Sequence, residues 1–193
     1  MPWEKSFETN DAIEIAMEVF WEKSYTGTSI SDLTNAIGIK RGSLYNAFRS
    51  KQELFVEALL KYDREHRSVG LIQLESNYEP REAICTLFET MVNQSISDKE
   101  KKGCFLVNTA LELPLHTKEV AAIVRAAFQD IENFFERLIK RGQKQSEIPE
   151  SVNPTESAKG LLGLVISIRV LARGVFDETE LRSIANQANR LIS

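Results

Sequence analysis

The sequence predicts an all-α protein of about nine helices, with an N-terminal three-helix helix-turn-helix domain and a C-terminal helical domain. Three observations predict this class. Apolar residues recur at spacings of three and four along most of the chain. Residues that cap helices stand immediately before several of these stretches. Between residues 28 and 54, two short helical patterns are joined by a glycine turn and followed by a third, longer one.

The first predicted helix covers residues 10–25. Its apolar residues lie at helical spacing and should pack across the two short helices to form a three-helix core. Glu14, Glu18 and Glu22 form an acidic face that should point away from DNA. Trp3 and Phe7 are expected to dock on the outside of this core. The apolar residues of helix 1 are Ala12, Ile13, Ala16, Met17, Val19, Phe20 and Trp21.

The two short helices form the helix-turn-helix pattern. The first begins at a Thr28-Ser29 cap and ends at Gly38, since a residue without a Cβ adopts the left-handed conformation at low cost. The second begins near Lys40, and in such a motif it is the helix that enters a major groove. Ser50 and Glu53 then predict a capping box for the next helix. The apolar faces are formed by Ile30, Leu33, Ile37, Leu44 and Phe48.

The charge pattern of this segment favours nucleic acid. The net charge of the chain is −4, so affinity for DNA has to come from a local patch. Residues 40–52 contain no acidic residue. Their cations are Lys40, Arg41, Arg49 and Lys51. The alternative is an ordinary helical hairpin with a solvated basic end, which the glycine turn and the caps at both ends argue against.

A recognisable motif order runs through residues 10–55. It reads Phe20…Ser24-Tyr25, Thr28-Ser29-Ile30, Ala36-Ile37-Gly38-Ile39, Gly42-Ser43-Leu44-Tyr45-Asn46-Ala47-Phe48 and Ser50-Lys51-Gln52-Glu53-Leu54. This order resembles the DNA-binding domain of the TetR/AcrR family of one-component bacterial transcriptional regulators. Ser24 stands where the family usually has glycine, which should shift a turn. Asn46-Ala47 replaces a pair that commonly contains histidine. Because this pair lies on the DNA-facing helix, the departure bears on which operator sequence is bound and not on DNA binding itself.

The resemblance implies a homodimeric transcriptional regulator, a repressor released from a palindromic operator in double-stranded DNA by a small-molecule effector. The chemistry of the residues then suggests roles. Arg41 can form two hydrogen bonds with guanine, and Asn46 can do the same with adenine; Ser43 is the third base-reading candidate. Gly42 allows close approach. The phosphate contacts are assigned to Thr28, Lys40, Tyr45 and Lys51. The predicted boundary separates a DNA-binding domain, 1–52, from an effector-binding and dimerisation domain, 53–193.

The remaining helices are read from periodicity, caps and prolines. A long helix is predicted from Lys51 to Leu74, and Pro80 suits the first turn of the next one. A short helix follows Cys104 and should end at Pro114, because proline disfavours a helical residue before it. Further helices are predicted over residues 117–143, from Pro154 to about residue 171, and after an Asp177 cap.

The last two helices suggest a dimer interface. The helix after Pro154 is apolar nearly all round, so it must be buried on more than one side. Gly160 and Gly163 would let another helix approach closely. In TetR-like proteins the last two helices of each subunit form a four-helix interface, and this sequence suits that arrangement. Burial within a single subunit is the alternative.

The resemblance also implies a small-molecule pocket in the C-terminal domain. Such a pocket needs apolar walls and a few placed polar groups. For each polar candidate, a role as a paired or snorkelling structural residue is the alternative; the apolar ones are as well explained as plain core. The candidates are Phe88, Met91, Gln94, Phe105, Asn108, Glu112, Arg125, Phe128 and Arg169.

Cys104 offers an alternative way to release DNA. It follows three lysines and a glycine and opens a helix, where positive charge and the helix dipole lower a thiol pKa and raise reactivity. The Gly103-Cys104 pair also resembles TetR-type regulators that answer to electrophiles or oxidants. An inert buried cysteine is the competing interpretation.

Other functional classes find little support in the sequence. Two cysteines and two histidines provide neither a disulfide framework nor a metal cluster, and no cofactor motif is present. No signal peptide and no membrane-spanning run is visible, so we expect a cytoplasmic protein. The chain has no nucleophile elbow or phosphate loop, which argues against an enzyme. A helical protein-interaction adaptor is the remaining alternative, but it leaves the basic helix-turn-helix unexplained.

Overall fold

A computed structural model describes residues 8–193, and every regular element in that range is helical. This confirms the predicted all-α class. By its internal contacts the chain divides into two compact units, one ending at His66 and the other comprising Arg67–Ser193. The first unit contains α1 Thr9–Gly27, α2 Ile30–Ile37, α3 Arg41–Phe48 and α4 Lys51–Tyr62. The functional boundary predicted after residue 52 remains a prediction.

The core of the first unit forms where α1 packs against α2 and α4. Phe20 is fully buried, and its ring meets the Phe55 ring edge-on at 5.0 Å between centroids. Of the predicted core residues in the two short helices, Ile30 and Ile37 are half-buried, whereas the others are buried. Trp3 and Phe7 lie outside the described residues. The buried residues of these short helices are Leu33, Leu44 and Phe48.

Side-chain caps define where several helices begin. The Ser29 hydroxyl accepts a hydrogen bond from the Asp32 backbone N–H, and the Asp32 carboxylate accepts one from the Ser29 N–H, which completes a capping box. At α4, Ser50 accepts from the Glu53 N–H at 3.1 Å, as predicted. These caps satisfy backbone donors that would otherwise lack a partner, and so they fix the start of each helix.

The departure at Ser24 has a visible structural cost. Ser24 has φ 63° and ψ 171°, a backbone region that is essentially restricted to glycine. The carbonyl of Ser24 accepts a 2.6 Å hydrogen bond from the Thr28 hydroxyl, so the kink is held by its surroundings. Strain of this kind costs about 1–3 kcal/mol. The chain therefore makes, with serine, a turn that glycine would adopt at lower cost.

We predict that Ser24→Gly raises the free energy of unfolding by about 1 kcal/mol, because glycine relieves the strain but costs some backbone entropy. Urea denaturation followed by circular dichroism measures the change. The matched control is Ser31→Gly in α2, which should lower stability by about 0.5 kcal/mol because glycine is the poorer helix former. Equal destabilisation by both substitutions would contradict the account of Ser24.

The predicted long helix after Ser50 is continuous but changes register. α4 ends at Tyr62, the segment Asp63–Ser68 forms a π-helix, and α5 Val69–Asn77 follows directly. Counted as one helix, this stretch brings the described chain to the nine helices that were predicted. The π-helix, a rare conformation with a wider turn than the α-helix, includes the boundary between the two units.

The second unit is a layered helical bundle around one apolar core. Its core combines α6, α8, α9 and α10, with Phe134 and Phe135 of α8 fully buried at the centre. Pro114 lies in a 3-10 turn, Leu113–Leu115, directly after α7, as its helix-ending role predicts. Within residues 8–193 no helix combines the length and apolar character that a bilayer crossing requires. After α5 the helices are α6 Pro80–Ser97, α7 Phe105–Leu111, α8 Lys118–Lys144, α9 Pro154–Leu171 and α10 Glu178–Leu191.

The two glycines of α9 differ in their surroundings. A Cβ added at Gly160 would lie 3.0 Å from Cδ1 of Leu191, so this glycine does allow α10 to approach closely. At Gly163 a Cβ would meet no atom within 4 Å, and the residue is exposed. Gly160 thus serves packing within the chain, whereas Gly163 lies on an uncovered face.

Candidate nucleic-acid interface

The turn between α2 and α3 fixes how the second helix is presented. Gly38 has φ 78°, in the left-handed region, and its N–H donates to the Thr34 carbonyl at 3.0 Å. This geometry ends α2 as the sequence predicts. Lys40 then serves as the N-cap residue of α3, with extended backbone angles and an exposed side chain.

The outer face of α3 carries the predicted base-reading residues. Arg41, Gly42 and Asn46 are exposed, and Ser43 and Tyr45 are half-buried. The opposite side of the helix is anchored by buried Leu44 and Phe48. The outer side of α3 is therefore free to enter a DNA groove, while the inner side holds the helix to the core. A rigid helix of this kind can present side chains to base edges in a major groove.

Arg41 is partly pre-oriented by a neighbour. Its guanidinium carbon lies 5.6 Å from the centroid of the Tyr45 ring, one turn along α3. A cation above an aromatic face is attracted by the ring, by about 0.5–1 kcal/mol at an exposed site. The contact restricts the arginine to the outer face and still leaves its hydrogen-bond donors available.

Thr28 and Lys51, both predicted to contact phosphates, are engaged inside the protein. The Thr28 side chain is buried, and its hydroxyl donates to Ser24. The Lys51 ammonium donates to the Thr28 carbonyl at 2.5 Å and lies 4.3 Å from the centroid of the Tyr25 ring. Burial lowers the pKa of Lys51. Both side chains that were predicted to contact phosphates therefore already have partners within the protein.

A charged pair holds the start of α2. Lys23 donates to the Asp32 carboxylate at 2.7 Å, and Ser29 donates to the same carboxylate through its hydroxyl and its N–H. These bonds stabilise the charged carboxylate, so the pKa of Asp32 is held well below its ordinary value. Asp32 therefore stays ionised while it caps α2.

Arg49, at the C-terminal end of α3, has no role in the sequence prediction beyond its place in the basic run. It is exposed, and it is the C-cap residue of α3, with a φ of 48° that takes it out of the helical conformation. Helical spacing therefore does not place its side chain on the face of Asn46.

Comparisons with known proteins agree with this geometry. Residues 12–58 match the model "Bacterial regulatory proteins, tetR family", and residues 80–188 match "Tetracyclin repressor-like, C-terminal domain". The chain belongs to the TetR family of transcriptional regulators. TetR-family proteins of this kind bind DNA to regulate transcription and are not enzymes, so this chain is a DNA-binding transcriptional regulator.

Its relatives span most of the chain. The uncharacterized HTH-type transcriptional regulator YezE of Bacillus subtilis is 32% identical over 75% of this chain and 74% of its own length. The HTH-type transcriptional repressor ComR of Escherichia coli is 27% identical over 97% of this chain and 90% of its own. A solved structure of the TetR-family regulator CifR, a cysteine mutant bound to 26bp operator DNA, matches with 28% identity and a TM-score of 0.84, covering 97% and 98% of the two chains.

The predicted effector residues of this TetR-family chain fall into two groups. Phe88, Met91 and Phe105 are buried, and Phe128 is half-buried. The Phe88 ring stacks on the Phe135 ring at 6.0 Å between centroids, a contact typical of core residues. Phe88 and Met91 lie in the apolar core of the second unit, and Phe128 packs against that core.

The polar candidates have structural partners. The Asn108 amide donates to the Lys102 carbonyl at 2.8 Å and accepts from Arg173 at 3.1 Å. Arg169 donates to the Gln94 side chain at 2.8 Å. Glu112 is half-buried at the C-terminal end of α7, and Arg125 is exposed on α8. Asn108, Arg169 and Gln94 therefore have the paired environment that the sequence left open as an alternative.

Among the described residues of the second unit, two of the surface depressions lie near the turn between α5 and α6, and neither of these two is lined by a predicted effector residue. The larger, of about 540 Å³, is lined by Glu79, Arg81, Glu82, Cys85 and Glu147. The smaller, of about 250 Å³, lies at the α5–α6 turn and is also lined by Arg141 of α8 and by Gln145, the residue after that helix. The predicted pocket is not preformed at either position.

The two cysteines differ in environment. Cys104 is the N-cap residue of α7, a half-buried free thiol that follows the exposed Lys99 and Lys101. The Cys85 thiol is also half-buried but donates to the Asn189 side chain at 3.2 Å, and burial raises its pKa. The two thiols thus share the same degree of burial but differ in position and in the Asn189 contact, so Cys85 provides a matched control for Cys104.

Proposed function

We propose that this regulator is a homodimeric repressor that binds a palindromic operator and is released by a small-molecule effector. The observation that supports it most is the exposed outer face of α3, with Arg41 held beside Tyr45 and Asn46 open to solvent. Arginine and asparagine are the side chains that bind guanine and adenine bidentately in the major groove. The relative ComR is named a transcriptional repressor, which favours repression here as well.

The outer face of α9 supports the dimer. Gly163 is exposed, and Ile166 and Val170, three and seven residues further on, are only partly buried within the chain. Together they form a small and apolar face that a single chain leaves uncovered. A second copy related by a two-fold axis would cover this face and place two reading helices on a symmetric DNA site.

Effector release is supported by the composition of the second unit. Phe88 and Met91 of α6 belong to the same apolar core as Phe135 of α8, and Phe128 packs against that core. Methionine side chains adapt readily to irregular ligands. An apolar effector with a few polar groups, inserted between α6 and α8, would fit this lining. Binding would then have to favour one dimer conformation over another in order to release DNA.

A thiol reaction at Cys104 is a second candidate mode of release, and it is supported by the partial exposure of this thiol at the start of α7. We predict that Cys104→Ser retains operator binding but is no longer released by a maleimide, as measured by electrophoretic mobility shift. Cys85→Ser is the matched control and should respond like the wild type. Equal release of wild type and Cys104→Ser would end this hypothesis.

Selection of random duplex DNA on the purified protein, at two salt concentrations, tests the main proposal. Enrichment of a palindrome whose binding weakens as salt rises is the expected result, because phosphate contacts release counterions. Enrichment of single, asymmetric half-sites would contradict the dimer. No enrichment by a folded protein would contradict operator binding in the absence of ligand.

A further inference from the structure

We propose that α5 is a strap over the core between α6 and α8, fastened by arginines and able to open as a unit to admit an apolar molecule. The proposal rests on the effector binding proposed above, because it assigns the route by which an effector reaches the core. It begins from the burial of α5. Within residues 8–193, α5 is the one α-helix that has no buried residue.

The apolar contacts of α5 are few. The helix packs on α6 and α8, and its side chains that pack against the core are Leu71 and Leu74, each half-buried. Val69 and Ile72 are 48% and 64% exposed. Since apolar stabilisation grows with the area removed from water, α5 gains much less from burial than α6 or α8 does.

Two arginines of α8 hold the C-terminal end of α5. The Arg137 guanidinium donates to both carboxylate oxygens of Glu75, from Nε at 2.9 Å and from Nη2 at 2.7 Å, which makes a bidentate pair. This pairing lowers the pKa of Glu75, so the carboxylate is charged at neutral pH. Arg141, one turn further along α8, donates to the backbone carbonyls of Glu75 and Tyr78 at 3.0 and 2.7 Å. Carbonyls at the end of a helix lack an intrahelical partner, and Arg141 supplies one.

A third arginine holds the other end of α5. Arg67, two residues before the helix begins, pairs with Asp130 of α8 at 3.2 Å. At the C-terminal end, the depression of about 250 Å³ is lined both by the last residues of α5 and by Arg141, so packing there is incomplete. Ion pairs near a surface add little to stability, because water replaces them at small cost. The strap is therefore fastened at both ends by contacts that water can replace, with little apolar burial between them.

Weak fastening predicts local opening. Segments with few buried apolar contacts open at a lower free energy than the whole domain. Opening of α5 uncovers the sides of α6 and α8 on which it packs, and these two helices carry the stacked Phe88 and Phe135 rings. Both rings are buried, so an apolar molecule reaches them only when a neighbouring element moves. Of the helices that pack on α6 and α8, α5 is held least by burial.

Hydrogen exchange of α5, followed by mass spectrometry, measures its opening. Glu75→Gln and Arg137→Gln each remove one charge of the bidentate pair and should speed exchange in residues 69–77 by roughly 3–10-fold, while core amides of α8 keep the wild-type rate. The double variant should exchange no faster than the more affected single variant, since both lose the same contact. Lys140→Gln is the matched control. Lys140 lies on α8 between the two arginines but pairs with Glu136 of the same helix, so its loss should leave α5 unchanged.

The uptake of an apolar dye tests the route into the core. Anilinonaphthalene sulfonate fluoresces on apolar surface, and it should bind Arg137→Gln faster than the wild type by the same factor as the gain in exchange. It should bind Lys140→Gln at the wild-type rate. Unchanged exchange of α5 in Glu75→Gln and Arg137→Gln, equal acceleration in Lys140→Gln, or dye uptake that does not follow exchange overturns the proposal. Neither readout uses DNA, so failure of the wild type to bind a selected operator would count against the proposed function alone.

Discussion

Arg41→Ala is expected to weaken binding to the selected operator by roughly 5–150-fold per half-site and to relax base preference at one position. The magnitude follows from the removal of a bidentate interaction with guanine, which is worth about 1–3 kcal/mol of discrimination. The assignment is supported because Arg41 is exposed on the outer face of α3 and restrained by Tyr45. Duplex selection repeated on the variant, with titrations on the wild-type operator, measures both effects.

The controls separate base reading from charge. Arg41→Lys keeps the charge but loses the planar fork, so it should relax specificity while retaining the salt dependence. Lys40→Ala, at the exposed N-cap position, should weaken all sequences alike and lower the salt slope. Unaltered base preference in Arg41→Ala would show that this arginine binds phosphate or nothing.

The first unit could be predicted largely from the sequence because its signals are local. The Gly38 turn, the Ser29 and Ser50 caps and the buried Leu33, Leu44 and Phe48 are all found where the pattern places them. The sequence does not reveal which partners a long side chain contacts in the folded protein. Lys51 reads as one more cation of the basic run, yet the fold turns its ammonium toward a backbone carbonyl.

Ile166→Glu is expected to convert the proposed dimer to a folded monomer and to lower operator affinity by roughly 10²–10⁴-fold, since linked half-sites owe that much to simultaneous binding. The reason is that Ile166 lies on the partly uncovered face of α9, next to exposed Gly163, where a partner would bury the new carboxylate. Analytical ultracentrifugation gives the oligomeric state, and anisotropy titration gives the affinity.

Ile72→Glu is the matched control. Ile72 is 64% exposed on α5, so the same substitution there adds the same charge away from the proposed interface. It should leave both the oligomeric state and the operator affinity unchanged. A wild-type dimer in Ile166→Glu, with normal affinity, would place the interface elsewhere.

The helices of the second unit could be predicted from the sequence, but its effector pocket could be predicted less well. Periodicity and caps locate α8, α9 and α10, and the Asp177–Glu180 capping box is complete as expected. A pocket depends on which side chains the packing leaves without partners, and residue type does not reveal this. Asn108 shows the difficulty, because its amide is satisfied by Lys102, in the loop before α7, and by Arg173, in the turn after α9.

The central claim, that the protein reads a two-fold symmetric DNA sequence through α3, is tested most directly by one comparison. Fluorescence anisotropy would follow wild-type protein titrated into the enriched palindrome, and into the same duplex with both half-sites scrambled, at a single salt concentration. Binding to the palindrome that is tighter by roughly 10³-fold or more is the predicted result. Equal affinity for the two duplexes would contradict sequence-specific reading by the outer face of α3.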